Sequence, residues 1–100
     1  MSASPAYLIA HLEVTDPNGM KQYLAALPAT LAPYDVKTLA RAAAVALDGT
    51  APAGSTVILA FHSMDDLKAW LNSPAYQAII PLREKSAKTL AYAVAGVPPS

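Results

Sequence analysis

The chain has no cysteine, which removes disulfides, thiolate metal sites and cysteine nucleophiles together and gives it no need of an oxidising compartment. It has no net charge, because seven basic and seven acidic residues cancel. No basic run is present to track a phosphate backbone, so nucleic acid is not an expected partner. Charge of either sign is scarce at 14% of residues, against about 25% in an ordinary soluble domain. With four glycines and no Walker, Rossmann or GxSxG pattern, nucleotide-binding and serine-hydrolase chemistry are set aside. No apolar run approaches the roughly 18 to 20 residues that cross a bilayer. The opening MSASPAYLIAHLEV lacks the basic start and long apolar stretch of a secretion signal, and Glu13 interrupts its apolar run. A cytoplasmic location without membrane association is the expectation.

What is abundant is apolar surface. Apolar residues make up 54% of the 100 residues, above the usual range of about 45–50%. A chain of this length suits one domain, residues 1–100, whose single core cannot absorb the whole surplus. Large exposed apolar patches are unusual on monomers, so a homodimer is expected.

Hydrophobic alternation predicts a strand over Ala6–Val14, with Leu8, Ala10, Leu12 and Val14 on one face and Tyr7, Ile9, His11 and Glu13 on the other. Asp16 followed by Pro17 marks a helix start. Met20, Tyr23, Leu24, Leu27 and Leu31 then follow at helical spacing, with Pro28 expected to break or restart the helix. Lys37–Leu47 is read as a strand, Asp48–Gly54 as a loop and Thr56–Phe61 as a buried strand. Ser63 with Asp66, and Ser73 with Pro74, open two further helices. The second of these is expected to end or kink near Pro81, and Thr89–Val97 to return as a last strand. The order βαββαβ predicts an α+β, ferredoxin-like domain: a four-stranded antiparallel sheet with helices on one face and strands one and three in its middle. The bare face then needs a cover, and a second copy is the expected one.

The opening YLIAHLEVTDPNGMKQY, the PATLAPY turn and SMDDLKAWLNSPAYQAIIPLREKSAKT together resemble the DUF1330 family over roughly Ala6–Val97, most specifically from Trp70 to Arg83. The resemblance implies a ferredoxin-like protomer in a dimeric α/β-barrel. It also implies kinship with a superfamily of small cofactor-independent monooxygenases, lactone isomerases and haem-dependent proteins. Similar sequences continue the second strand as Arg-Gly-Gly where this one reads Arg41, Ala42, Ala43, and many carry a Trp in the loop that here holds Ala51 and Pro52.

The residues themselves offer few chemical groups. His11 is mid-strand and carries an imidazole, the side chain best suited to general-base work near neutral pH, and His62 falls on the same face by odd–even counting. With the central strands adjacent, the two histidines are expected to share a cavity as candidate acid/base groups. The bland alternative for His11 is a histidine satisfied by polar neighbours in a dimer interface. Glu13 and His11 stand almost 7 Å apart along a strand, by a rise of about 3.3 Å per residue. No HxH or HxxxH spacing supports them, so neither a metal nor another cofactor is expected. Arg41 and Arg83 are the candidate anion-binding groups and Tyr34 and Tyr76 candidate hydroxyl donors, with a surface or interface ion pair as the bland reading of Arg83, which stands beside Glu84. Trp70 is expected in the core. The leading expectation is a dimer binding a small carbonyl- or carboxylate-bearing molecule in a pocket on the sheet face, as a cofactor-independent isomerase or monooxygenase. The alternative is a non-catalytic ligand-binding or structural dimer.

Overall fold

Four strands set the frame: β1 (Ala6–Val14), β2 (Lys37–Ala43), β3 (Ser55–Phe61) and β4 (Ala87–Ala95). They form one sheet in the order β2-β3-β1-β4, and every neighbouring pair is antiparallel. This computed structural model describes residues 4–98. The expected absence of a secretion signal falls partly on residues 1–3, which lie outside the described residues.

Three α-helices, α1 (Pro17–Leu31), α2 (Met64–Leu71) and α3 (Pro74–Ser86), connect and cover the strands, with a short 3-10 turn at Ala32–Tyr34. Each helix starts where a short polar side chain can accept a free backbone N–H. Asp16 accepts from Asn18, Ser63 from Asp66 and Ser73 from Tyr76. Pro17 and Pro74 sit in the first turn of α1 and α3, where no donor is lost. The break or restart expected at Pro28 is corrected, since α1 runs through it to Leu31, and of the end or kink expected near Pro81 the end is excluded, since α3 runs on to Ser86. Tertiary packing of the apolar stripe outweighs the lost hydrogen bond, since Tyr23, Leu27 and Thr30 remain buried around Pro28. β2 stops at Ala43 rather than Leu47, and β4 starts at Ala87 rather than Thr89.

Along β1 and β3 the pleat divides the sheet into two unlike faces. Leu12, Val57, Leu59 and Phe61 are buried against the helices with Leu27, Leu67, Trp70 and Tyr76, and this is the core. The Phe61, Trp70 and Tyr76 rings form a continuous run, with centroids 5.5 Å and 4.0 Å apart. α1 and α3 meet at Gly19, where an added Cβ would collide with Ser86 Oγ, so a side chain there would displace the Ser86 hydroxyl. Thr15 and Asp16 donate their backbone N–H groups to the Ser86 carbonyl at the same clasp.

Among the described residues the opposite face has no covering layer. It carries Ile9, His11, Thr56, Ile58, Leu90, Tyr92 and Val94, with Leu90 62% exposed. The Cα envelope is 44 × 38 × 15 Å, the thickness of one helix layer on one sheet. No helix among the described residues is long and apolar enough to cross a membrane.

Candidate functional site

α3 brings the first polar groups together. Tyr76 and Arg83 are seven residues apart, two helical turns, and so share one face. Arg83 Nη1 donates to Tyr76 Oη at 2.9 Å. Across the helix interface the Tyr76 and Tyr23 hydroxyls lie 2.9 Å apart, so one phenol donates to the other. The result is a chain from Arg83 through Tyr76 to Tyr23, two of whose members are almost wholly buried. Trp70 stacks beside Tyr76 and donates its Nε1–H to Thr30 Oγ1 at 3.0 Å, while Thr30 donates to the Leu27 carbonyl. These bonds hold the rings in place and leave the guanidinium as the adjustable end.

A cavity of about 60 Å³ lies between the helix-covered face of the sheet and the helices. Its walls are mostly aliphatic, including Leu8, Leu12, Leu24, Val57 and Leu59, and the polar groups converging on it are Tyr23, Tyr76, Arg41, Arg83 and Thr89. Small alanines at Ala10 and Ala91 on the sheet floor create the room. Two polar atoms of this lining, Arg83 Nε and Thr89 Oγ1, are buried with no hydrogen-bond partner in the protein. Such atoms cost roughly 1–3 kcal/mol each unless something satisfies them. Among the described residues Arg83 has no carboxylate within ion-pair distance, so within the chain it forms no surface pair with Glu84.

Burial is the main cause that pushes the Tyr23 hydroxyl well above the ordinary tyrosine range. Its hydrogen bond and proximity to Tyr76 act in the same direction, while Arg83 opposes them. Tyr23 is thus a neutral phenol at any physiological pH. It can donate or accept a hydrogen bond, but it is no base.

Arg41 reaches this cavity through an irregularity. β2 opposes β3 as Thr38 to Leu59 and then Ala40 to Ile58, so two β2 residues advance for one of β3. That bulge at Leu39 shifts the phase of the strand and turns Arg41 to the side of Val57, the helix-covered face. Arg41 also lines a neighbouring groove of about 340 Å³ between the second half of α1 and β2.

The two histidines are elsewhere. His11 is on the bare face, with Nδ1 3.0 Å from Thr56 Oγ1 and Nε2 3.0 Å from Tyr92 Oη. Both hydroxyls can donate or accept, so each ring nitrogen finds a partner whichever proton it holds. His62 lies beyond the end of β3, paired at 3.1 Å with Asp35 on the surface. The expectation that His11 and His62 share a cavity is corrected by the register. His11 stands opposite Thr56, and six further residues at about 3.3 Å each put His62 roughly 20 Å away. Tyr34 packs against the outside of the core without lining the cavity.

Of the residues expected to bind a ligand, the structure therefore gathers Arg41, Tyr76 and Arg83. It adds Tyr23 and Thr89, which sequence reasoning passed over. Tyr23 was hidden in the apolar stripe of α1, where a tyrosine reads as core. Thr89 was hidden by its place at the start of a strand, although it is a polar residue on the alternation phase of Ala91 and Ala93.

The model of the family described as a domain of unknown function, DUF1330, matches residues 5–97. No protein of curated function matches the sequence. Among solved structures, SnoaB, a cofactor-independent oxygenase from Streptomyces nogalater, superposes with a TM-score of 0.65 at 13% identity, covering 97% of both chains. RPA0582, a protein of unknown function from Rhodopseudomonas palustris, gives 0.69 at 14% identity over 96% of this chain and 85% of its own. A dimeric ferredoxin-like protein of unknown function from Thermobifida fusca gives 0.63 at 20% identity over 93% and 92%. At these identities the likeness is one of fold.

Proposed function

The chain belongs to the DUF1330 family, and we propose that it is a dimeric binding protein for a small carbonyl- or carboxylate-bearing molecule, held between the helices and the covered face of the sheet. One observation carries this: Arg83 places a guanidinium, one of whose nitrogens is buried and unpartnered, in a mostly apolar cavity without a carboxylate to neutralise it. A ligand oxygen supplies both the missing acceptor and the missing charge. Thr89 and the Tyr76–Tyr23 pair add neutral hydroxyls around the same space.

For the second copy the support is the bare sheet face, with Leu90, Tyr92 and Val94 exposed on it, and the dimeric ferredoxin-like proteins that share the fold. Two such faces packed together form an α/β-barrel.

Catalysis is a second reading, favoured by the donor character of the cavity. An isomerisation that begins by proton abstraction needs a base, and the polar groups lining this cavity are guanidinium, phenol and hydroxyl. A cofactor-independent oxygenation makes a smaller demand, since donors need only hold an acidic substrate as its anion while dioxygen reacts with it. SnoaB performs chemistry of that general kind on this fold.

Calorimetric titration with butanoate and with butanamide tests the binding reading, because the two differ in charge and hardly in shape. Butanoate is expected to bind at least tenfold more tightly, about 1.4 kcal/mol, and Arg83→Met to abolish the difference. Equal affinities, or an unchanged preference in Arg83→Met, would overturn it.

A further inference from the structure

The cavity is too small to be the whole site. At about 60 Å³ it falls well short of the roughly 300–1,000 Å³ of ordinary ligand pockets, and holds a head group of a few atoms. Leu24, Leu27, Leu59 and Arg41 line both the cavity and the 340 Å³ groove beside it, so the two adjoin. Beyond them the groove continues along Pro28, Leu31 and Val36, an apolar wall ending near Asp35 and Thr38.

Arg41 stands at the junction. On a regular strand it would face the other way, since it is three residues from Thr38 and odd spacings alternate. The bulge at Leu39 is what aims it at the site, and bulges commonly re-aim a side chain in this manner. Like Arg83 it has no carboxylate within ion-pair distance among the described residues, and Asp35, the acid of the groove, is hydrogen-bonded to His62. The site therefore holds two guanidiniums, one inside the cavity and one at its mouth, with apolar walls around both.

We infer that the ligand is a molecule with two acidic groups on a short apolar body, such as a dicarboxylate, with one group on Arg83 and Thr89 in the cavity and the other on Arg41 at the mouth. This rests on the binding reading above and narrows it to a substrate class. A monocarboxylate fills half of the site. Arg41 is then a specificity-determining residue, and the solvent around it weakens its contribution relative to that of Arg83.

Binding of octanoate and of suberate, which have the same eight carbons and differ in the second carboxylate, separates the possibilities in the full-length protein. Suberate is expected to bind about five- to tenfold more tightly in low salt, in keeping with a solvent-exposed second contact. Arg41→Gln should remove the advantage of suberate over octanoate, and Arg83→Met should weaken both. Octanoate binding as tightly as suberate would overturn the inference while leaving the cavity reading standing. So would an Arg41→Gln protein that binds both acids equally more weakly, because Arg41 would then be serving the monocarboxylate too. Failure of both acids to bind the wild-type protein would overturn both readings.

Discussion

The two faces of the sheet carry polar clusters of opposite character. On the bare face His11 has a hydroxyl partner for each nitrogen, Thr56 on one side and Tyr92 on the other. On the covered face Arg83 and Thr89 keep buried atoms that nothing in the protein satisfies. Histidine is the residue that chemistry at neutral pH favours, yet here it is the group whose needs its own neighbours meet. A satisfied cluster holds structure in place; an unsatisfied one, already costing stability, is where a ligand is worth most.

The faces should differ most in what apolar truncation does. Trp70 is 1% exposed among Phe61 and Tyr76 on the covered side, so Trp70→Ala should destabilise the protomer by about 3–5 kcal/mol. Urea unfolding would read this as a lower midpoint. Leu90→Asp alters the bare face instead, where in an isolated protomer the side chain is mostly exposed to solvent. It should leave the protomer's fold intact and convert the proposed dimer to a monomer in sedimentation velocity, through the cost of burying an unpaired carboxylate against a second copy. A Leu90→Asp protein that still sediments as a dimer would move the interface off the bare face and break the comparison.

A smaller effect sharpens it. His11→Phe leaves the hydroxyls of Thr56 and Tyr92 without their partner. Were the bare face open to water, solvent would replace the imidazole at little cost. Under a second copy each abandoned hydroxyl costs about 1–3 kcal/mol, so the dimer's dissociation constant should rise tenfold or more. Carboxylate binding in the cavity, on the other side of the sheet, should not change. Loss of that binding in His11→Phe would instead couple the two faces.

Much of this division can be read in the chain. The alternation of β1, the three helix starts and the seven-residue spacing of Tyr76 and Arg83 are local patterns, and each appears where the residues place it. What stays hidden is set by contacts between distant segments. Odd–even counting put His11 and His62 on one face, but only the pairing of Ile9 with Ile58 shows them to be at different heights. Arg41 is identifiable as an anion binder by its type, whereas its direction depends on a bulge at Leu39 that no turn residue announces. Tyr23 is a core residue by its spacing. It joins the site because α3 delivers Tyr76 to it across 53 positions of sequence.

Tyr23 also supplies the finest test of the difference between the faces, through pH. Below about pH 10, the ordinary value for tyrosine, Tyr23 is protonated both folded and unfolded, and its titration contributes nothing to stability. Above that value the unfolded chain releases the proton while the buried phenol keeps it, because its folded pKa is raised. The unfolded state then binds fewer protons, so stability falls as pH rises, by up to about 1.4 kcal/mol per pH unit. Tyr23→Phe lacks this loss, although it gives up the hydrogen bond to Tyr76, worth about 1 kcal/mol. Urea unfolding across this range should therefore show the variant less stable at pH 7 and the gap closing near pH 11, by the same slope. A gap that stays constant would mean that the Tyr23 hydroxyl titrates alike in both states. The covered cluster would then be no drier than the bare one, and the contrast between a satisfied and an unsatisfied face would lose its physical cause.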